Sequence, residues 1–223
     1  MNINMLVYGD PGVGKTVFAA SADNAVLFDC EGGTLSIQDR IKAKKVIVKD
    51  VLRFQDLEDG LRTLREKPHQ QVKTIIIDSI TEVQKKLNDM LISTYPDPKR
   101  PYGDGLMLQD WGYNTERMRR LVRTARDMDY NLIITALAMG IKDDSSGVVT
   151  TMPKLSEKLA ADVCAYVDIV GYMFVEEVDG APVRKMLLQP MGHYFAKDRS
   201  GHLPIVIDNP TFNAIHKMAL NEK

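Results

Sequence analysis

The sequence predicts a three-layer α/β fold built on a mostly parallel central sheet with an antiparallel edge. Three observations carry this expectation. Short runs rich in Val and Ile alternate with longer segments of helical period, as a parallel sheet covered on both faces requires. The first run leads into Gly9-Asp10-Pro11-Gly12-Val13-Gly14-Lys15-Thr16, which has the G-x-x-x-x-G-K-[ST] pattern of a loop that cradles phosphates. Late in the chain, two β-prone runs flank the turn-forming stretch Glu176 to Pro182, which places an antiparallel pair at one edge.

Taken in order, Ile3, Met5, Leu6, Val7 and Tyr8 make the first strand, and Val17 to Ala22 is a small apolar segment suited to a helix packed on the sheet. Ala25 to Asp29 reads as a second strand, ending at Cys30-Glu31-Gly32-Gly33-Thr34, and Lys45 to Lys49 as a short third. Phe54, Leu57, Leu61 and Leu64 fall on one face of a helix that Pro68 stops. Thr74-Ile75-Ile76-Ile77-Asp78 is a buried strand, followed by a helix through Val83, Leu87 and Leu91. Tyr95 to Tyr113, with its prolines and glycines, is expected to be a long loop, and Thr115 to Met128 a helix carrying five arginines. Asn131 to Ala136 is the next strand. A loop over Lys142 to Gly147 then leads to a helix around Leu155 to Tyr166. Asp168 to Val175 and Val183 to Gln189 form the paired strands, and the tail offers a run at Pro204 to Ile207 and a helix from Thr211 to Leu220.

Length fits one domain over residues 1–223, and a net charge of −1 gives no whole-protein attraction to nucleic acid, so any such binding must rest on a local surface. No run approaches the length needed to cross a bilayer, and the start lacks the regions of a signal peptide, so the expected location is the cytoplasm with no membrane partner. Cys30 and Cys164 have no metal-site spacing and are expected as reduced thiols.

The loop assigns Gly9 to Thr16, with Val17 beginning the helix, to a bound nucleotide, ATP. Lys15 reaches the β- and γ-phosphates and the Thr16 hydroxyl sits on Mg²⁺. Asp78, closing its run of isoleucines, suits the second metal-side role, as a carboxylate that orients Mg²⁺ opposite Thr16. Asp29 is the rival for that job. Glu31, just past a strand end, is placed to position an attacking water. Ligands of such sheets lie beyond the carboxyl ends of the strands, which puts Glu31, Asp78 and Thr135 on the rim with Lys15.

These residues together resemble the RecA-type recombinase core. Phe28-Asp29-Cys30-Glu31-Gly32 is similar to the motif carrying that family's catalytic glutamate, Thr74 to Ser79 to its second nucleotide motif, and Leu132-Ile133-Ile134-Thr135 to the strand before its second DNA-binding loop. Lys197-Asp198-Arg199-Ser200-Gly201 is similar to the K-x-R element that RecA-type recombinases and replicative hexameric helicases insert into a neighbour's ATP site. The resemblance implies that Lys197 and Arg199 act in trans in a homo-oligomer, ring or filament, with shared ATP sites. It also implies that the segments Tyr95–Tyr113 and Gly140–Pro153 are the DNA-binding loops. Lys99, Arg100, Tyr102 and Trp111 in the first suit phosphate contacts and base stacking, and Lys142 lies in the second.

Two departures stand out. Where the family has a glutamine after the strand ending at Thr135, this chain reads Ala136-Leu137-Ala138-Met139. The chain also starts directly on its first strand, like the minimal recombinases of bacteriophages classed with single-strand annealing proteins, which would place it in a host cytoplasm. The implied activity is a Mg²⁺-dependent, DNA-dependent ATPase that coats single-stranded DNA and promotes annealing or strand exchange. A ring-forming, helicase-like or loader motor is the alternative. A small-molecule phosphotransferase is a third, opposed by the lack of an arginine-rich lid.

Overall fold

The computed structural model describes residues 1–94, 106–142 and 147–222. Ten strands are found among them: β1 (Asn4–Gly9), β2 (Ala25–Asp29), β3 (Val46–Asp50), β4 (Thr74–Asp78), β5 (Asn131–Lys142), β6 (Val149–Pro153), β7 (Ile169–Val178), β8 (Ala181–Leu187), β9 (Lys197–Asp198) and β10 (Val206–Asp208). The helices are α1 (Lys15–Ala19), α2 (Gln38–Lys42), α3 (Phe54–Glu66), α4 (Ile80–Thr94), α5 (Leu108–Arg126), α6 (Glu157–Tyr166) and α7 (Phe212–Ala219).

The sheet runs β10-β8-β7-β1-β5-β4-β2-β3, with β6 paired to β5 and β9 to β7. From β3 to β7 the neighbours are parallel, and β7, β8 and β10 pair antiparallel at the edge. This is the three-layer arrangement that the alternating pattern predicts.

Period-two alternation divides each central strand between two cores. Ile75 and Ile77 of β4, with Leu6, Tyr8, Leu132 and Ile134, pack against Leu57 of α3, Leu87 of α4, Met118 and Val122 of α5 and Val163 of α6. Ile76, with Met5, Val7, Leu27 and Ile133, packs on the other face against Phe18 of α1 and Phe212 and Ile215 of α7. Burying both faces of the strands is why they read as unbroken apolar runs. Truncating one such isoleucine to alanine costs about 2–5 kcal/mol.

Two expectations are corrected. Of the expected loop Tyr95–Tyr113, residues 95–105 lie outside the described residues, and helix begins at Leu108, because the Asp110 carboxylate accepts the Met107 N–H at 2.8 Å and starts α5 seven residues before Thr115. Asn114, fully buried, then donates to Asn88 Oδ1 at 2.6 Å and accepts from Gln84 at 2.9 Å, fastening this first stretch to α4. The expected loop over Gly140–Pro153 is in its described part a β-hairpin: β5 continues to Lys142 and pairs with β6 from Ala138↔Pro153 to Lys142↔Val149. Its β-branched residues, Val149, Thr150 and Thr151, favour that pairing. No helix among the described residues is long and apolar enough to cross a membrane.

Candidate active site

The site lies at the carboxyl ends of the central strands, and β1 carries the phosphate loop to it. Gly9 closes β1 opposite Leu137 of β5, and β7 passes so close on its other side that a β-carbon on Gly9 would stand 2.2 Å from the Met173 carbonyl oxygen. Only glycine fits there. The loop then turns through Gly12 and Gly14 into α1, whose Phe18 and Ala19 are buried beneath the sheet. Lys15 Nζ donates to the carbonyls of Gly9 at 3.0 Å and Asp10 at 2.8 Å, folded onto its own loop. Burial pushes its pKa down, opposed by Glu31, Asp78 and Asp10.

Asp78 ends β4 in register with Asp29 of β2, so the two rival carboxylates stand side by side on one rim. Their partners distinguish them. Asp78 Oδ2 accepts the Thr16 hydroxyl at 2.7 Å, and Oδ1 accepts the Thr135 hydroxyl of β5. Burial raises its pKa while these two hydroxyls lower it. Asp29 Oδ1 instead accepts the N–H groups of Glu31 at 3.0 Å, Gly32 at 2.8 Å and Gly33 at 3.3 Å, which holds the turn carrying Glu31. Glu31 accepts the hydroxyl of Ser79, the residue after Asp78. Two hydrogen-bonded groups, Thr16–Asp78–Thr135 and Ser79–Glu31, therefore stand with Lys15 at the end of the loop.

The donor set fits Mg²⁺ held with a nucleotide. Thr16 Oγ1 and the buried Asp78 carboxylate offer hard oxygen donors beside the loop. Among the described residues no group of three or more His, Cys, Asp or Glu could hold a metal without phosphate oxygens.

Lys197 and Arg199 lie elsewhere. β9 pairs with Ile169 and Val170, while Ile169 pairs with Met5, so these cations sit at the amino ends of the strands, away from their own loop. Lys197 Nζ donates to the Cys164 carbonyl at 2.6 Å, and Arg199 donates to the Ala165 carbonyl at 2.7 Å and pairs with Asp168 at 3.4 Å. Both thus cap the carboxyl end of α6 in their own chain.

Of the residues expected to meet nucleic acid, Lys99, Arg100 and Tyr102 fall outside the described residues. Trp111 is 42% exposed in the first turns of α5, on a helix and not in a loop. Lys142 ends β5, five residues beyond the Leu137–Gly9 pair, so its hairpin projects from the rim that bears the phosphate loop. The arginines of α5 are largely engaged within the chain: Arg117 with Glu58 at 2.6 Å, Arg119 with Asp162, Arg123 with Glu116 at 3.1 Å and Arg126 with Asp127 at 2.7 Å. A groove of about 940 Å³ between the ends of α3 and α5, lined by Arg65, Arg120 and Tyr130, lies at the opposite end of the sheet from the loop.

The sequence gives Ser79 no site role and puts Thr135 on the rim without one, whereas the structure bonds Ser79 to Glu31 and Thr135 to Asp78. A hydroxyl directly after the strand-ending Asp78, and another closing β5, were the available signals for Ser79 and Thr135.

A family model described as an AAA domain matches residues 1–200. No curated protein matches the chain. Among solved structures, the flagellar accessory protein FlaH from Methanocaldococcus jannaschii aligns with a TM-score of 0.50 and 12% identity, over 93% of this chain and 84% of that one. A KaiC-like protein from Pyrococcus horikoshii OT3 aligns at 0.48 and 17% over 85% and 79%. The RadB recombinase aligns at 0.49 and 16% over 85% and 84%. The likeness to FlaH is one of fold.

Proposed function

This chain belongs to the AAA domain family, and from that premise we propose that it binds and hydrolyses ATP with Mg²⁺ and couples this to single-stranded DNA, in annealing or strand exchange. The observation that carries the ATPase reading is the hydrogen bond from Thr16 to Asp78 at 2.7 Å, which joins the end of the phosphate loop to the strand-ending carboxylate. In that reading Lys15 leaves the carbonyls of Gly9 and Asp10 for the β- and γ-phosphates, and the backbone N–H groups of the loop bind the remaining oxygens. Thr16 and Asp78 would hold Mg²⁺, which would neutralise phosphate charge. Glu31 orients the attacking water and accepts its proton, with Ser79 fixing the carboxylate until then.

The DNA reading draws support from the projecting hairpin that ends in Lys142 and from Trp111 exposed on α5, together with the Lys99-Arg100-Pro101-Tyr102 sequence that precedes it. In the assembled protein, Lys197 and Arg199 would exchange the carbonyls of α6 for a neighbour's γ-phosphate.

ATPase rates with and without a single-stranded oligonucleotide test both halves. Lys15→Ala should abolish hydrolysis; unchanged turnover in that variant refutes the site. Trp111 is the only tryptophan. Its fluorescence should change on oligonucleotide binding, and the response should weaken steeply with salt as counterions are released. No fluorescence change and no retention of oligonucleotide at low salt with an ATP analogue present would remove the DNA reading and leave the ATPase one standing.

A further inference from the structure

One cation stands against the phosphate loop that its motif does not contain. Arg184 lies in β8, paired with Val175 of β7, and its carbonyl accepts the Asn209 N–H at 2.6 Å, so its backbone is held from both sides. Its side chain lies across Gly14. A β-carbon built on Gly14 would stand 2.6 Å from Arg184 Nε, 3.0 Å from Cδ and 3.5 Å from Cζ. Gly14 has a φ of +101°, which requires glycine for the backbone turn, and the bare backbone leaves the space that the arginine side chain occupies.

Nothing among the described residues explains this cation as a structural group. The adjacent Lys185, on the other face of β8, pairs with Glu176 at 2.6 Å and Asp208 at 3.6 Å. Among the described residues Arg184 has no ion pair or side-chain hydrogen bond, although Asp10, Glu31 and Asp78 all lie around the same loop. A guanidinium without a counter-ion among the described residues, lying beside a loop whose motif turns backbone N–H groups toward phosphate, is arranged for an anion with several oxygens.

We infer that Arg184 is a phosphate-binding residue in cis: its guanidinium grips, from the side of β8, the polyphosphate that the loop holds from below. Lys15 and Arg184 then reach the same chain of phosphates from two elements, α1 and the β7–β8 hairpin, and nucleotide binding fastens that hairpin to the loop. The inference rests on the nucleotide reading above but adds a residue and an element to it.

The test titrates a fluorescent ATP analogue and, separately, inorganic tripolyphosphate into wild type, Lys15→Ala, Arg184→Ala and Arg184→Lys. Arg184→Ala should weaken both ligands by about ten- to a hundredfold, as loss of a charge-assisted contact to phosphate does. Arg184→Lys should recover part of the loss, since a point charge replaces a fork of donors. Melting temperature without ligand should stay at the wild-type value in both variants, because the side chain has no partner to lose. Wild-type affinity for ATP in Arg184→Ala overturns the inference. A loss for the ATP analogue with none for tripolyphosphate also overturns it, by placing the arginine on the nucleoside. Failure of wild type itself to bind either ligand would instead sink the nucleotide reading, and the inference with it.

Discussion

Replacing Asp29 by Asn separates two jobs that fall to neighbouring carboxylates. Asp29 is 6% exposed and its Oδ1 accepts three backbone N–H groups at 2.8 to 3.3 Å, from Glu31, Gly32 and Gly33. Asn keeps an oxygen in that position but turns charge-assisted bonds into neutral ones about half as strong. Because the three donors share one acceptor atom, the losses do not add. The stability cost should be about 1–2 kcal/mol, which lowers the melting temperature by roughly 2–8 °C in a domain of this size. Turnover should fall as well, since Glu31 rides on that turn, and displacement of a water-positioning carboxylate by about 1 Å can cost up to about 100-fold. The Mg²⁺ concentration giving half-maximal rate should stay where it is. In Asp78→Asn the reverse holds, with a higher Mg²⁺ requirement. Thermal melts and Mg²⁺ titrations of the ATPase on both variants decide the matter. A shifted Mg²⁺ requirement in Asp29→Asn, with an unshifted one in Asp78→Asn, would refute the assignment of the two strand ends.

Glu31→Gln should keep nucleotide affinity while lowering turnover by about two orders of magnitude, measured by single-turnover hydrolysis; a normal rate removes Glu31 from the chemistry. The raised pKa of Asp78 makes its protonated form the one the fold prefers, so its contribution to stability is full below the unfolded carboxylate value and is lost as pH rises through the folded one. Mg²⁺-nucleotide binding needs the ionised form, so affinity should begin to fall on acidification while pH is still above the ordinary carboxylate range, and Asp78→Asn should flatten that step. Mixing Arg199→Ala, which keeps its own loop, with Lys15→Ala, which keeps its own Lys197 and Arg199, should restore ATPase activity that neither has alone. A mixture that co-assembles and stays inactive makes those two cations helix caps and nothing more.

The reasons why parts of this molecule were legible in the sequence and others were not are physical. β4 was readable because both of its faces are buried, which forces Ile75, Ile76 and Ile77 into one unbroken run. The loop was readable because phosphate binding dictates glycines and a lysine at fixed spacing. The start of α5 was not, since Gly112 and the neighbouring prolines argue for a loop, and only the tertiary bonds of Asn114 to Asn88 and Gln84 override that local preference. The extension of β5 past Ala136 was hidden by Gly140, a poor strand residue that here pairs with Thr151. The choice between Asp29 and Asp78 hung on which carboxylate the Thr16 hydroxyl meets, and a linear reading contains strand ends without their partners. Arg184 is the extreme case, opposite Gly14 only because β8 returns beside β7.

The position of β1 has a consequence for how the protein is made. Its partners are β5 and β7, so the strand that leads into the phosphate loop lies in the middle of the sheet although it precedes all the others in the chain. On a ribosome, Gly9 emerges about 120 residues before the first of those partners, a wait on the order of ten seconds. During it β2, β3 and β4 can already pair with one another, while Met5, Leu6 and Val7 have no sheet to join. The pairings that seat β1 between β5 and β7, and so carry the phosphate loop to the rim, are distant in sequence, the kind that forms slowly. β1 can be flanked on both sides only after synthesis has passed β7, so its apolar residues Met5, Leu6 and Val7 wait longest for their neighbours.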